Sequence, residues 1–332
     1  MIRLFLYSLI SAFTIVGGVI GAGFITGKEI FVFFSQDFSL SGLYLTFVLF
    51  TLSIYLVMTF QFDKISSKAI GVFISIANIF IAGCMCSAIS AVYSRLFFGL
   101  KNVEIFTIFT AILVFLVSTG GMGAIGKFNL FLIPLVIVVI VALGLKSTAC
   151  VFVNLTPKTF SGVINPIIYV AFNVVLSFTV IKNSGEKLSP PFKMLCSCVT
   201  ALVLSLSIFV ISLAIKNSSK SQVMPFTELF IKDVKLSIIV DIITLFAILT
   251  TYVSALYTSY DFGGCKLNLG VKTLIFLFSI SISNLGFSKI VDTVYPIIGT
   301  VGFTLLLVIC LLSKIFQVKR PKRTSLPLKC KV

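Results

Sequence analysis

Long apolar runs alternate with short polar ones along the whole chain. A helix of about 20 apolar residues crosses a roughly 30 Å hydrocarbon core, and ten segments near that length can be read. They are Leu4–Phe34, Leu40–Phe60, Ala69–Phe98, Val103–Thr119, Asn129–Leu145, Ser161–Ile181, Lys193–Ile215, Leu236–Tyr257, Val271–Leu285 and Val291–Leu312. Polar connections separate them, among them Gln61–Lys68, the glycine-rich Gly120–Lys127 and Lys146–Lys158. Lys182–Phe192 carries the helix-ending pair Pro190–Pro191, Lys216–Lys235 carries Pro225 and a short amphipathic piece, and Asp261–Gly270 follows the eighth run. A membrane β-barrel would instead show alternating segments of about ten residues. The pattern predicts an all-α integral membrane protein of about ten transmembrane helices.

Two runs stand apart. The first is too long for one straight crossing and is interrupted at Gly17, Gly18, Gly21, Gly23 and Gly27. The sixth contains Asn165, Pro166 and Asn173, and proline removes a helical hydrogen bond. These two lie five spans apart, and discontinuous segments at corresponding positions of two halves point to an inverted repeat with a midplane site. No residue-level repeat links the halves, so the symmetry rests on span count and interruptions. The expected organisation is one transporter domain over 1–313, with half-repeats about 1–146 and 159–313, and a basic tail over 314–332.

Composition agrees. Of 332 residues 58% are hydrophobic and only 11% charged, against about a quarter charged in a soluble domain; the mean hydropathy is +1.18. The net charge of +16 does not indicate nucleic acid, because no basic domain stands outside the apolar runs. Seven of the 26 basic residues follow residue 313, and most others flank spans, where they report orientation and contact anionic lipid. Ten crossings put both ends on one side, with 16 basic residues there against 10 opposite, or 9 against 10 without the tail. Both termini are therefore expected in the cytoplasm of a bacterial plasma membrane. The apolar run after Arg3 continues through Phe34, longer than a secretory signal, so no cleavage is expected. The paired Cys84/Cys86 and Cys196/Cys198 lie in helical runs where i and i+2 diverge, and read as packing residues. With no histidine, no paired embedded carboxylates and no nucleophile motif, the enzyme class is set aside.

The glycine-rich stretch carries candidate chemistry. In Gly17-Gly18-Val19-Ile20-Gly21-Ala22-Gly23-Phe24 an unwound backbone admits close approach of a ligand. A half-helix restarting near Ala22 would turn N–H groups toward an anion, and the unwound carbonyls would face a cation. The same spacing, Gly17/Gly21 and Gly23/Gly27, also suits tight helix packing. Ala247, Thr250 and Thr251 put a carbonyl and two hydroxyls on one helix face, a set a hard cation accepts. Threonines in membrane helices also bond their own preceding turn.

These residues carry a resemblance. Gly17-x-x-Ile20-Gly21-Ala22-Gly23-Phe24 is similar to the first-helix motif of the amino acid–polyamine–organocation superfamily, whose members share the LeuT-type five-plus-five inverted repeat. The string Gly21-Ala22-Gly23-Phe24-Ile25-Thr26-Gly27-Lys28-Glu29-Ile30 resembles the bacterial YkvI-type membrane proteins, where a glutamine usually stands at the Lys28 position. Tyr169-Val170-Ala171-Phe172-Asn173 resembles the same group. The resemblance implies a solute transporter and does not identify the solute; the expected function is a cation-coupled symporter of a small organic solute, an amino acid or related zwitterion. A non-transporting receptor on the same fold is the alternative.

By the same resemblance the solute meets Gly21, Ala22, Gly23 and Phe24 on one side and Tyr169, Phe172 and Asn173 on the other. A sodium site would take oxygens from Gly17, Ile20, Ala247, Thr250 and Thr251. Proton-coupled relatives place a lysine of span five there, and Asn129–Leu145 has none; Glu29 is the alternative proton carrier. Lys28, Glu29 and Asp292 are implied as an outer gate and Arg3 with Asp261 as an inner one, although each could instead reach its own interface. No cofactor beyond the coupling ion is implied. The expected partners are a small-molecule solute and the lipid bilayer, with the oligomeric state open.

Overall fold

The computed structural model describes residues 2–35, 37–59, 64–97, 102–120, 122–147, 153–186, 188–218, 222–262 and 265–317; side chains of residues 2, 64–70, 122–132, 261–262, 265–266, 306 and 308–317 are outside the described set. The helices are α1 (Ile2–Val19), α2 (Ala22–Ile25), α3 (Lys28–Phe34), α4 (Leu40–Thr59), α5 (Lys64–Leu96), α6 (Val103–Thr119), α7 (Met122–Ser147), α8 (Ser161–Leu176) and α9 (Phe178–Gly185). After them come α10 (Pro190–Ala214), α11 (Pro225–Glu228), α12 (Val234–Ser259), α13 (Leu269–Ser283) and α14 (Phe287–Gln317). A small hairpin, β1 (Asp261–Phe262) with β2 (Cys265–Lys266), follows α12.

The first apolar run divides twice. Gly21 is extended (φ −109°, ψ −165°), which ends α1 and starts the single turn α2. Gly27 takes a left-handed φ of 75°, a conformation that a Cβ penalises, and sets the new direction of α3. The sixth run also divides, but at Ser177: α8 and α9 meet there at 66°. Pro166 does not break the helix. α8 runs through it from Ser161 to Leu176, although the missing N–H removes one bond of the second turn.

Two other expectations change. Pro190 and Pro191 open α10 at its first positions, where an unbonded N–H is normal, instead of ending a helix. The stretch expected as the loop Gly120–Lys127 is already helical from Met122 in α7; Gly121 lies outside the described residues.

Helix faces turned outward are apolar. On α6, Ile105, Phe109, Ile112 and Leu116 are all exposed at helical spacing, a stripe that water would not tolerate and lipid accepts. Among the described residues, α4, α10, α12 and Gly71–Leu96 of α5 are long and apolar enough to cross a membrane. Two bent pairs, α8 with α9 and α13 with α14, raise that count to six. Arg3–Val19, Val103–Thr119 and Ile133–Ser147 are shorter apolar helices. The chain is thus a multi-pass helical membrane protein.

The broken first run is central. α1 packs on α10, α7, α9 and α12, and α2 packs on α12. At one end of the bundle Leu40 N–H donates to the Asn154 carbonyl (3.0 Å), and Phe226 N–H donates to the Thr26 carbonyl (2.8 Å). There α11, short but with Pro225, Phe226 and Thr227 buried, lies over the turn between α2 and α3. Lys193 Nζ donates to the Met58 carbonyl (2.7 Å) where α4 ends and α10 begins.

Candidate functional site

The two helix breaks face one another. A Cβ on Gly18 would stand 3.3 Å from Ser177 Oγ, and one on Gly21 would stand 2.8 Å from Thr251 Oγ1. The end of α1, the α8–α9 break and the middle of α12 therefore converge. A cavity of about 20 Å³ lies between them, lined by Gly18, Asn78, Ser177, Thr251, Ser254 and Thr258, with apolar neighbours; this is room for roughly one water-sized species. The hydroxyls of Ser177 and Ser254 are buried without a hydrogen-bond partner. Buried hydroxyls normally find one, so the cavity offers a small polar species unmet oxygens.

Of the expected cation ligands, Thr251 and Ile20 meet beside it. Thr251 Oγ1 donates to the Ile20 carbonyl (3.3 Å), joining α12 to the break. Gly21 N–H turns to the Val19 carbonyl (2.9 Å), so it does not make the bond to Gly17 that a continuing helix would. Thr250 Oγ1 donates to the Ala247 carbonyl (2.8 Å) within its own helix. A hydroxyl that donates one bond still keeps oxygen lone pairs for a cation. Ile20, Ala247 and Thr250 are all fully or almost fully buried. Among the described residues no group of three or more His, Cys, Asp or Glu side chains gathers. The oxygens that meet here are the Ile20 carbonyl and the Thr251 hydroxyl, both of kinds that a hard cation accepts.

The residues expected to hold the solute fall into two groups. Ala22, Gly23 and Phe24 are buried in the single turn α2. Tyr169, Phe172 and Asn173 are buried on α8 but meet other partners. The Tyr169 ring packs on Phe33 (5.3 Å) and Phe34 (5.2 Å) of α3 and on Phe50 (6.2 Å). Phe172 packs on Tyr295 (4.5 Å), and Asn173 Nδ2 donates to the Tyr169 carbonyl (3.0 Å).

Glu29 occupies the space beside Gly23. A Cβ on Gly23 would overlap the Glu29 Oε1 and Cγ and stand 2.6 Å from its Cδ. Glu29 is buried, and its Oε2 has no hydrogen-bond partner. The hydroxyls of Tyr169 and Tyr295 and the Cys84 thiol lie within electrostatic reach of it. A side-chain carboxylate of the chain itself thus stands against Gly23, one of the residues expected to meet the solute, and α2 is too short to build up a helix dipole.

The charged residues sort as follows. Lys28 Nζ lies 3.3 Å from Asp292 Oδ1, with Lys28 fully buried and Asp292 one-third exposed; it also donates to the Gln222 carbonyl (3.2 Å). Arg3 is exposed on α1, and the side chain of Asp261 lies outside the described residues, so the pairing of these two is not described. Asp241, for which the sequence suggested no partner, is bonded to Arg95 (2.8 Å). Arg95 also donates to Thr227 Oγ1 (2.8 Å), tying α5, α11 and α12 together. Sequence reading missed Arg95, Asn78, Ser177 and Ser254. The available signal for Arg95 was physical: a carboxylate deep in a membrane helix calls for a cation.

No protein-family model matches the chain, and no curated protein matches it. Solved structures do. A manganese transporter of Eremococcus coleocola, in complex with an aromatic bis-isothiourea substituted compound, aligns with a TM-score of 0.54 at 15% identity over 94% of this chain and 78% of that one. The inward-facing conformation of Mhp1 aligns with a TM-score of 0.55 at 13% identity, over 89% of this chain and 73% of that one. The chain therefore has the LeuT-type helical fold of these two membrane transporters.

Proposed function

We propose that this protein is a secondary active transporter, a cation-coupled symporter of a small organic solute, most simply an amino acid or related zwitterion. The observation that carries the reading is the meeting of two broken helices at a small polar cavity, with unpartnered hydroxyls of Ser177 and Ser254 beside the Thr251–Ile20 contact. Backbone breaks at mid-helix are tolerated in a membrane where they line a site. The fold supports transport over enzymatic chemistry. Glu29 then meets the ammonium of the solute, and the hydroxyl cluster with its cation meets the carboxylate. In this reading the contact of Lys28 with Asp292 and the bond from Phe226 of α11 to Thr26 would serve to close one end.

Ten spans complete this reading: α1 to α3 as one broken span, α8 with α9 as another, and α13 and α14 as two separate spans about their 113° bend. The basic tail supports cytoplasmic termini, and the YkvI-type motif supports a bacterial plasma membrane. Reporters fused after Lys331 and in the segment 216–235 should fall on opposite sides; a shared side would remove the ten-span arrangement. Transport itself is tested with purified protein in proteoliposomes. Amino acids that raise its thermal stability should also accumulate inside under an ion gradient. Stabilisation without uptake under any gradient would leave a receptor.

A further inference from the structure

A second, larger cavity lies away from the helix breaks, at the end of the bundle where α3 finishes. It measures about 240 Å³ and is bounded by the end of α3, the segment 153–159 and the end of α10. Its apolar wall includes Ile30, Phe34 and Phe38, and its polar wall includes Lys158, Lys216 and Ser212. Both lysines are exposed, while Ser212 is buried to 7% exposure and its hydroxyl has no hydrogen-bond partner.

Among the described residues, the carboxylate lining this cavity is Asp37, and it is already committed. Asp37 accepts hydrogen bonds from the Lys158 backbone N–H, which contribute most to holding its carboxyl below the usual carboxylate range, and from the Thr159 N–H and hydroxyl. The Lys158 charge also acts on Asp37, and Lys216 brings a second cation to the wall.

We infer that this cavity is a binding site for a small organic carboxylate: its anionic end between Lys158 and Lys216 with Ser212 as an added donor, its short apolar part against Ile30, Phe34 and Phe38. The chemistry follows from the walls. A compact cavity with an apolar floor and a few converging polar groups is the common form of a small-molecule site, and ammonium groups reward an anion with charge-assisted hydrogen bonds. The buried Ser212 hydroxyl gains the partner it lacks. An occupant would bridge α3 to α10 and the 153–159 segment. Because α3 is the last piece of the broken first run, that bridge holds the arrangement seen here. The site is thus regulatory in character and separate from the solute site between the breaks.

The probe is hexanoate, with uncharged hexanol as its control, added to the full chain in phosphatidylcholine nanodiscs. Hexanoate should raise the melting temperature saturably and hexanol should not. In K158Q/K216Q the apparent affinity should fall about tenfold or more, and Ser212→Ala should weaken it less. Both lysines are exposed, so the double variant should fold, which its melting curve without ligand checks. The response should survive in Thr250→Val/Thr251→Val, whose helix α12 does not line this cavity, which separates this site from the one between the breaks. Equal responses to hexanol, or an unchanged affinity in K158Q/K216Q, would overturn the proposal. A lysine-dependent stabilisation by phosphatidylglycerol discs that hexanoate cannot compete with would assign the cavity to a lipid headgroup and overturn the free-carboxylate reading.

Discussion

Replacing Gly23 by alanine should remove most solute binding, and replacing it by valine should remove all of it. The reason is steric and local. A Cβ at this position enters the space of the Glu29 side chain, standing 2.6 Å from its Cδ and overlapping Cγ. Cγ is overlapped as well as the carboxylate end, so the whole Glu29 side chain must turn away or α3 must shift, and overpacking of this kind typically costs about 1–3 kcal/mol. Glu29 is the group proposed to meet the solute's ammonium, so its displacement acts on binding directly. The control is Gly23→Ala combined with Glu29→Ala. It should recover thermal stability, because the overlap is gone, and should still fail to bind. Ligand-dependent melting shifts and uptake on all three variants measure both effects. Wild-type affinity in folded Gly23→Ala would move the solute site away from this break.

The glycine spacing marked where the first run divides, yet it did not show what the division does. In an unbroken helix Glu29, six residues on, would lie roughly 120° around the axis from Gly23. The left-handed turn at Gly27 brings it back, and a conformation of that kind is set by tertiary contacts such as Phe226 against Gly27. The sixth run misled in a different way. Pro166 looked like the breaker, but α8 runs through it, and the bend falls at Ser177, an ordinary residue in sequence that stands against Gly18 in the packed structure. The pair Lys28–Asp292 was legible because embedded charges are few and each needs a partner. Arg95–Asp241 obeys the same rule across 146 positions, and nothing local in the sequence joins them. Apolar run lengths carried the membrane class and most helix positions, whereas side-chain partners came only from the packed helices.

Sodium should raise solute affinity and potassium should not, with a difference of about five- to 150-fold if the two sites are coupled as strongly as allosteric sites usually are. The expected ligands are the carbonyls of Gly17, Ile20 and Ala247 and the hydroxyls of Thr250 and Thr251. Thr251 already touches the Ile20 carbonyl, so an ion there would replace a hydroxyl proton as the link between α12 and the break. Thr250, donating to Ala247, would turn a remaining lone pair to the ion. An ion held in this way ties α1 to α12 and favours the state in which the polar cavity is formed. Thr250→Val/Thr251→Val keeps the side-chain shapes but deletes both oxygens. That variant should bind solute with the low, ion-independent affinity that the wild type shows in potassium. Titrations in matched sodium and potassium chloride separate this from a general salt effect. The competing outcome is uptake that ignores sodium, follows a proton gradient and is lost in Glu29→Gln. It would make Glu29 the coupling group, because a buried carboxyl with an unpartnered oxygen can take up a proton without any other ligand.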